Sequence, residues 1–287
     1  MLLLQLLVNG IVTGSALGVM AVSFALIYAT TRVFHVAHAG VYTLGGYLAW
    51  SLVGHGVPEV LALLGAMAGC VALGSLIQVA LYAPLARRGA AQLVVLIASL
   101  GALAVIQNVI AGVYSPDILQ FSSAWAGHVF ALAGGLRLSG AQLATLGLDF
   151  AAFAGVLWFA HRTLLGKRIR AVAANPFLAE ITRLEPRRVH VYVMAIASAL
   201  VCLPGVLGPL DYGLQPYGGV TPLLTATIAM IAGGIGSLAG AFFLAVAIVV
   251  LQNLSLLVMP GEWSIGVTFA IFVVFMLFRP RGLFASG

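Results

Sequence analysis

Few side chains in this sequence have the type and spacing to do chemistry, and they are thinly spread. His35 and His38 stand three apart in RVFHVAHAGVYTLGGYLAW, residues 32–50, a spacing that can put both on one face of a helix. A metal site would need further ligands, and none accompanies them. A polar break opening a glycine-rich helix is the favoured reading, with Gly45 and Gly46 letting a neighbouring helix come close. Asp149 is a lone carboxylate inside an apolar run. It is either a functional group or a buried hydrogen-bonding one, since no basic residue stands at similar depth. Gln107-Asn108 and Gln252-Asn253 are amide pairs that hydrogen bonding between helices explains. Gly166-Lys167 invites a phosphate-loop reading, but no glycine stands five residues before Gly166 and Arg168 replaces the Ser/Thr. No nucleotide or catalytic motif is present, so any ATP chemistry belongs to another polypeptide. Gly233-Gly234-Ile235-Gly236-Ser237 interrupts an apolar run. A broken helix touching substrate is one reading; a tight turn at the inner surface with small-residue packing is the favoured one. Cys70 and Cys202 lie in apolar runs and read as packing residues, with neither disulfide nor metal.

The elements that must position these residues are membrane helices. Of 287 residues, 62% are apolar and 7% charged, against about 25% charged in a soluble domain. A spanning helix takes about 20 apolar residues, and the apolar runs fall near 5–30, 36–54, 59–84, 91–113, 139–161, 189–208, 221–235, 238–257 and 264–278. The runs 221–235 and 264–278 are short, and a re-entrant pair within 221–257 is an alternative to two crossings. The first run has no basic leader and no small-x-small cleavage pattern, so it reads as a span and not a cleaved signal. With nine crossings, twelve of the thirteen basic residues fall on one side and only Arg137 on the other. The side rich in arginine is cytoplasmic, which places the N-terminus out and the C-terminus in. The formal charge of +6 therefore reports topology and anionic lipid, and not nucleic acid. The expected fold is an all-α polytopic bundle of eight or nine transmembrane or re-entrant helices, forming one domain over residues 1–287.

Two loops have structure of their own. In the inner loop 162–188, Asn175-Pro176 reads as an N-cap with proline at the first helical position. Phe177, Ile181 and Leu184 recur at helical spacing before Pro186, so a short cytoplasmic helix with an apolar face is expected over 176–184. That face either rests on lipid headgroups or docks into a partner protein. The outer loop 114–138 ends in alternating runs around Gly134-Gly135, which suits a hairpin needing support. Phe121 and Trp125 suit interfacial anchoring equally well.

Taken in order, several blocks resemble the permease subunits of branched-chain amino-acid ABC transporters, in particular the shorter of the two paired permeases. They are Leu7-Val8-Asn9-Gly10; Ala37-His38, Leu44-Gly45 and Tyr47-Leu48-Ala49; Arg170-Ala171, Ala173, Asn175, Ala179 and Arg188-Val189; and Gly233 through Ser237. His35-Val36 and Ala39 depart from the usual Asn-Phe and Gly, Ala239 from a usual Pro, and Arg183 from a Gly that ends the coupling helix. A left-handed C-terminal cap suits glycine there, so Arg183 either adopts that conformation at a cost or ends the helix differently.

The resemblance implies a subunit of an importer in the bacterial cytoplasmic membrane. It implies a second permease, with a heterodimer expected, two cytoplasmic ATPases that carry the ATP, and a binding protein outside. By the same resemblance, Arg170, Ala173, Asn175, Phe177, Ala179 and Ile181 couple to the ATPase. His38, Gly45, Gly233, Gly234 and Gly236 are the candidates for the substrate path. The chain itself is expected to need no cofactor or metal and to be no enzyme. A secondary carrier or channel working through Asp149 and the amides is the rival reading. An intramembrane enzyme would need a convergent catalytic set, which His35, His38 and Asp149 do not form.

Overall fold

The computed structural model describes residues 2–121, 127–131, 136–279 and 282–284. The chain opens with α1, Leu2–Thr31, a 30-residue helix about 45 Å long at 1.5 Å per residue. Gly10, Gly14 and Gly18 recur every four residues along one face. A Cβ on Gly14 would lie 2.9 Å from the Val246 Cα, and one on Gly10 2.8 Å from the Val250 Cα. Only glycine permits that approach, so the ladder sets α1 directly on an antiparallel helix near the chain's end.

The order continues with α2, His38–Gly54, and α3, Glu59–Ile77. A π-helical turn over Gln78–Tyr82 joins α3 to α4, Ala83–Arg87. After α5, Gln92–Tyr114, the outer loop leads to strands β1, Val129–Ala131, and β2, Arg137–Ser139, paired antiparallel with Phe130 opposite Leu138. The expected hairpin is present, while Trp125 and Gly134-Gly135 lie outside the described residues. Its support comes from α1: Gln5 Nε2 donates to the Arg137 carbonyl at 2.9 Å, and the Arg137 N–H donates to Gln5 Oε1 at 3.0 Å. Phe121 is buried in the bundle rather than anchored at an interface.

Next come α6, Gly140–Arg162; α7, Leu164–Ala174; α8, Pro176–Ile181; and α9, Pro186–Leu207. The chain ends with α10, Pro209–Tyr212; α11, Val220–Gly233; α12, Leu238–Ser255; and α13, Ser264–Phe278. Side-chain caps fix several starts. Ser139 and Gln142 form a capping box on α6, Thr163 Oγ1 accepts from the Gly166 N–H, and Ser237 Oγ from the Gly240 N–H, each at 3.0 Å.

Among the described residues, seven helical stretches are long and apolar enough to cross a membrane: 2–31, 59–87, 92–114, 140–162, 186–212, 238–255 and 261–278. With the 17-residue α2 and the 14-residue α11, the apolar segments match the nine read from sequence. The segment expected at 221–235 is the exceptional one. At about 21 Å, α11 is too short to cross a hydrocarbon core of about 30 Å. Gly213, with φ +84, Pro216 and Gly218-Gly219 keep the chain non-helical before it.

The core follows from small residues at the crossings. α2 meets α9 where a Cβ on Gly46 would sit 2.5 Å from the Gly205 carbonyl oxygen, and one on Gly205 2.2 Å from that of Tyr42. Beside this seam a Cβ on Gly45 would lie 2.9 Å from Cys202 Sγ and 3.2 Å from Cys70 Sγ. Both thiols are free and buried, as packing residues would be.

Candidate functional site

The inner loop is more helical than its sequence suggested. It holds α7 as well as α8, and the expected helix over 176–184 ends at Ile181. Asn175 Oδ1 accepts from the Leu178 N–H at 3.0 Å, and Pro176 follows at the first helical position. At the other end Arg183 has φ +61. Its N–H donates to the Glu180 carbonyl at 3.1 Å, and the Leu184 N–H to the Ala179 carbonyl at 3.0 Å. Those two bonds are a Schellman cap with arginine in the left-handed position that suits glycine.

The cap sorts the side chains of α8. Ala179 is buried and Leu184 packs on the core, while Phe177, Leu178 and Ile181 are 73%, 57% and 64% exposed. Full burial of such a side chain is worth about 1.5–3 kcal/mol, so three together form a surface that gains from being covered. The apolar face is therefore built from Phe177, Leu178 and Ile181, with Leu184 turned inward.

A cavity of about 540 Å³ lies between α1, α6, α7 and the turn joining α11 to α12. Arg170 and Ala173 line it from α7, and Gly236 and Ser237 from the turn. The Arg170 guanidinium reaches the His161 ring at 3.3 Å. The structure thus brings Arg170 and Ala173, of the inner-loop candidates, to one cavity with Gly236, while Asn175, Phe177, Ala179 and Ile181 do not line it. Within that block Gly234 and Gly236 have φ +106 and +99, and a Cβ on Gly233 would strike the Gly240 backbone at 2.5 Å. The block is a tight reversal with small-residue packing. The tail fastens to it, because the N–H groups of Leu283 and Phe284 donate to the carbonyls of Ala232 and Gly233.

His38 and Gly45 sit elsewhere, in the bundle interior. His35 and His38 are fully buried, with ring centroids 5.4 Å apart. His38 Nε2 meets Ser23 Oγ at 2.7 Å; that hydroxyl donates to the Met20 carbonyl, so the imidazole is the donor. His35 Nδ1 meets the Tyr82 hydroxyl at 2.7 Å, and Tyr82 donates on to Ser99 Oγ. Ser99 Oγ also accepts the Ala37 N–H at 3.0 Å, so the chain of bonds anchors the start of α2. No group of three or more metal-ligating side chains occurs among the described residues.

Asp149 is fully buried on α6. Ser15 Oγ lies 3.1 Å from its Oδ2 and 2.8 Å from the Val12 carbonyl, and Oδ1 has no partner among the described residues. The amide pairs only partly bond between helices: Asn253 Nδ2 donates within α12 to the Val249 carbonyl, and Gln107 Nε2 is buried with no partner among the described residues. Gln252 reaches Ser264 and Thr268 on α13, and Asn108 Oδ1 accepts from the Tyr217 hydroxyl at 3.3 Å.

That last contact marks a region whose weight the sequence reading missed. Residues 213–219 run back along α2: Leu214 touches Gly46, and a Cβ on Gly219 would sit 2.3 Å from the Ala39 carbonyl oxygen. The starts of α2 and α11 therefore lie side by side inside the bundle, and the two helices run away from each other. α2 spends its first N–H groups on loop carbonyls and Ser99. Among the described residues, the N–H groups of Val220 and Thr221 have no acceptor, and Pro222 has none to give. Tyr217, Gly218 and Thr221 are exposed there. The clustered Gly213, Pro216, Gly218, Gly219 and Pro222 were the available signal.

Comparison with known proteins agrees with this architecture. Residues 6–276 match the family described as branched-chain amino acid transport system, permease component. The high-affinity branched-chain amino acid transport system permease protein BraD of Pseudomonas aeruginosa is 27% identical, over 98% of this chain and 95% of that protein. The corresponding LivH of Escherichia coli K12 is 25% identical, over 98% and 94%. The solved structure of PsaBC from Streptococcus pneumoniae in complex with Fab superposes with a TM-score of 0.54 at 15% identity, over 95% of this chain and 91% of that one, and shares the fold. A multi-pass helical membrane protein matched over nearly its whole length, this chain belongs to the branched-chain amino acid transport permease family.

Proposed function

We propose that this chain is the transmembrane permease subunit of an ATP-binding-cassette importer, moving branched-chain or related amino acids into a bacterial cytoplasm. The observation that carries the proposal is the exposed apolar face of α8, Phe177, Leu178 and Ile181. It suits a helix that seats in a groove of another protein. The system then comprises a second permease, two cytoplasmic ATPases that bind and hydrolyse ATP, and a binding protein on the outside. Arg170 and Ala173 face the cavity, Asn175 and Ala179 set α8 in place, and Phe177 and Ile181 make the contact. Motion of α8 reaches the spans through the 233–237 turn, which shares the cavity wall and where Gly233, Gly234 and Gly236 act.

The substrate path is assigned to the exposed start of α11, beside Tyr217, Thr221 and Asn108. Free N–H groups at the start of a half-helix suit the carboxylate of an amino acid. His38 and Gly45 act behind it by fixing α2.

A Phe177→Cys variant co-expressed with the neighbouring ATPase subunits should crosslink to one of them in membranes. No product with any ATPase encoded nearby overturns the coupling role. Proteoliposomes should take up leucine only with the second permease, ATPase, binding protein and ATP present. Uptake by this chain alone under an ion gradient would make it a secondary carrier.

A further inference from the structure

A second cavity opens on the cytoplasmic side and shares no lining residue with the one beside Arg170. About 410 Å³ in volume, it lies between the π-helical turn with α4 and the first turns of α9. Its rim is basic: Arg87 comes from α4, and Arg187 and Arg188 from α9. Arg188 already pairs with Glu185 at 2.6 Å. Arg87 and Arg187 have no partner among the described residues. They are two arginines brought together from opposite walls with no carboxylate between them.

The interior of the groove has a different character. Val79, Ala83 and Val191 form an apolar wall. That wall continues from Val79, 57% exposed in the π-helical turn, onto Leu76 of α3, 60% exposed. Deeper, Gln78 and His190 line the same groove, and Gln78 Oε1 and His190 Nε2 are buried without a hydrogen-bond partner. Gln78 opens the π-helical turn, a local widening of the kind that often marks functional sites. The amide can rotate to present its oxygen, so the deep end offers hydrogen-bond acceptors below a cationic rim.

We infer that this groove binds one anionic phospholipid of the inner leaflet, with Arg87 and Arg187 on its phosphate and Gln78 and His190 on headgroup hydroxyls. A free anion would satisfy the arginines but leave the apolar wall bare. A zwitterionic lipid would cover the wall but bring an ammonium group to the arginines. An anionic lipid with a hydroxylated headgroup, such as phosphatidylglycerol, matches all three parts, and basic pockets between helices at this level are known lipid sites.

The test uses the full chain purified in a mild nonionic detergent, with thermal unfolding followed during lipid titration. Phosphatidylglycerol should raise the unfolding midpoint by several degrees, saturably, whereas phosphatidylcholine and inorganic phosphate should not. The double variant Arg87→Gln/Arg187→Gln should lose more than half of that shift, and Arg168→Gln, outside the groove, should keep it. Equal shifts with phosphatidylcholine, or in the double variant, overturn the proposal. A phosphate effect as large as that of the lipid makes this a free-anion site. Stabilisation only by a co-purified ATPase subunit makes the groove a protein interface. Should the double variant not fold, native mass spectrometry decides with wild type and Gln78→Leu: one retained phosphatidylglycerol per wild-type chain, at least fivefold weaker in Gln78→Leu, is expected, and equal retention refutes it.

Discussion

α1 and α11 both pack on α12 and on each other, and both are rich in glycine or flanked by it, yet they are opposite kinds of helix. In α1 the glycines come every four residues and the helix runs unbroken for 30 residues. In α11 they are gathered ahead of the first turn with Pro216, Pro222 falls within that turn, and the helix lasts 14 residues. Regular spacing keeps glycine on one face, where it shortens the distance between helices. Clustering with proline removes side-chain packing and a donor together, and ends the helix. The first pattern makes a scaffold, while the second leaves backbone donors uncommitted inside a membrane.

The largest effect should come from filling the ladder. In Gly14→Leu the new side chain meets the Val246 backbone, and the yield of monodisperse protein on size exclusion should fall at least tenfold. A normal yield would mean that α1 is not the scaffold. Gly219→Val, placed against the Ala39 carbonyl, should leave folded protein in the membrane but cut uptake about tenfold. Loss of the protein itself would put α11 in the same class as α1. Phe177→Asp with Ile181→Asp should abolish ATP-driven uptake while leaving the unfolding temperature of the isolated chain within a degree or two, because both side chains are in water. A large drop in that temperature would show α8 to be structural. Ser15→Ala removes the bond to Asp149 and should cost about 0.6 kcal/mol, the average for such bonds in bilayers, read as a small fall in unfolding midpoint with uptake retained. The smallest effect extends the glycine comparison to a third place. Arg183→Gly should relieve about 1 kcal/mol of left-handed strain and raise the midpoint slightly, with the complex still assembling. A lost complex would mean that the arginine touches a partner.

Much of the scaffold was legible because hydropathy and arginine placement act over whole segments. Nine apolar runs, the hairpin and the Asn175-Pro176 start of α8 all follow from local patterns. Arg183 was legible as a conflict, and the structure resolves it by keeping the cap and accepting the strain. What stayed hidden depended on contacts between distant residues. Nothing in the sequence near His35 points to Tyr82 and Ser99, which reach it from α4's approach and α5. Leu184 fits the helical spacing of Phe177 and Ile181, but the cap turns the chain after Ile181 and sends it inward. The short α11 looked like a weak span because hydropathy cannot separate a run that crosses from one that starts partway. The candidates grouped as a path also divide in space, Gly233, Gly234 and Gly236 at the inner turn and His38 with Gly45 in the core, since motif order says nothing about depth.

The fastening of Leu283 and Phe284 to the end of α11 has a practical side. Phe284 also lines the inner cavity and packs against Gly240, so residues 282–284 form a latch on the turn between α11 and α12. A reporter or affinity handle fused just beyond them would pull on that latch and load the turn it holds. Handles at the other end of the chain leave it alone, because Leu2 and Leu3 are exposed on the opposite side of the bilayer. Activity measured with the two placements then becomes a reading of how tightly the latch must close.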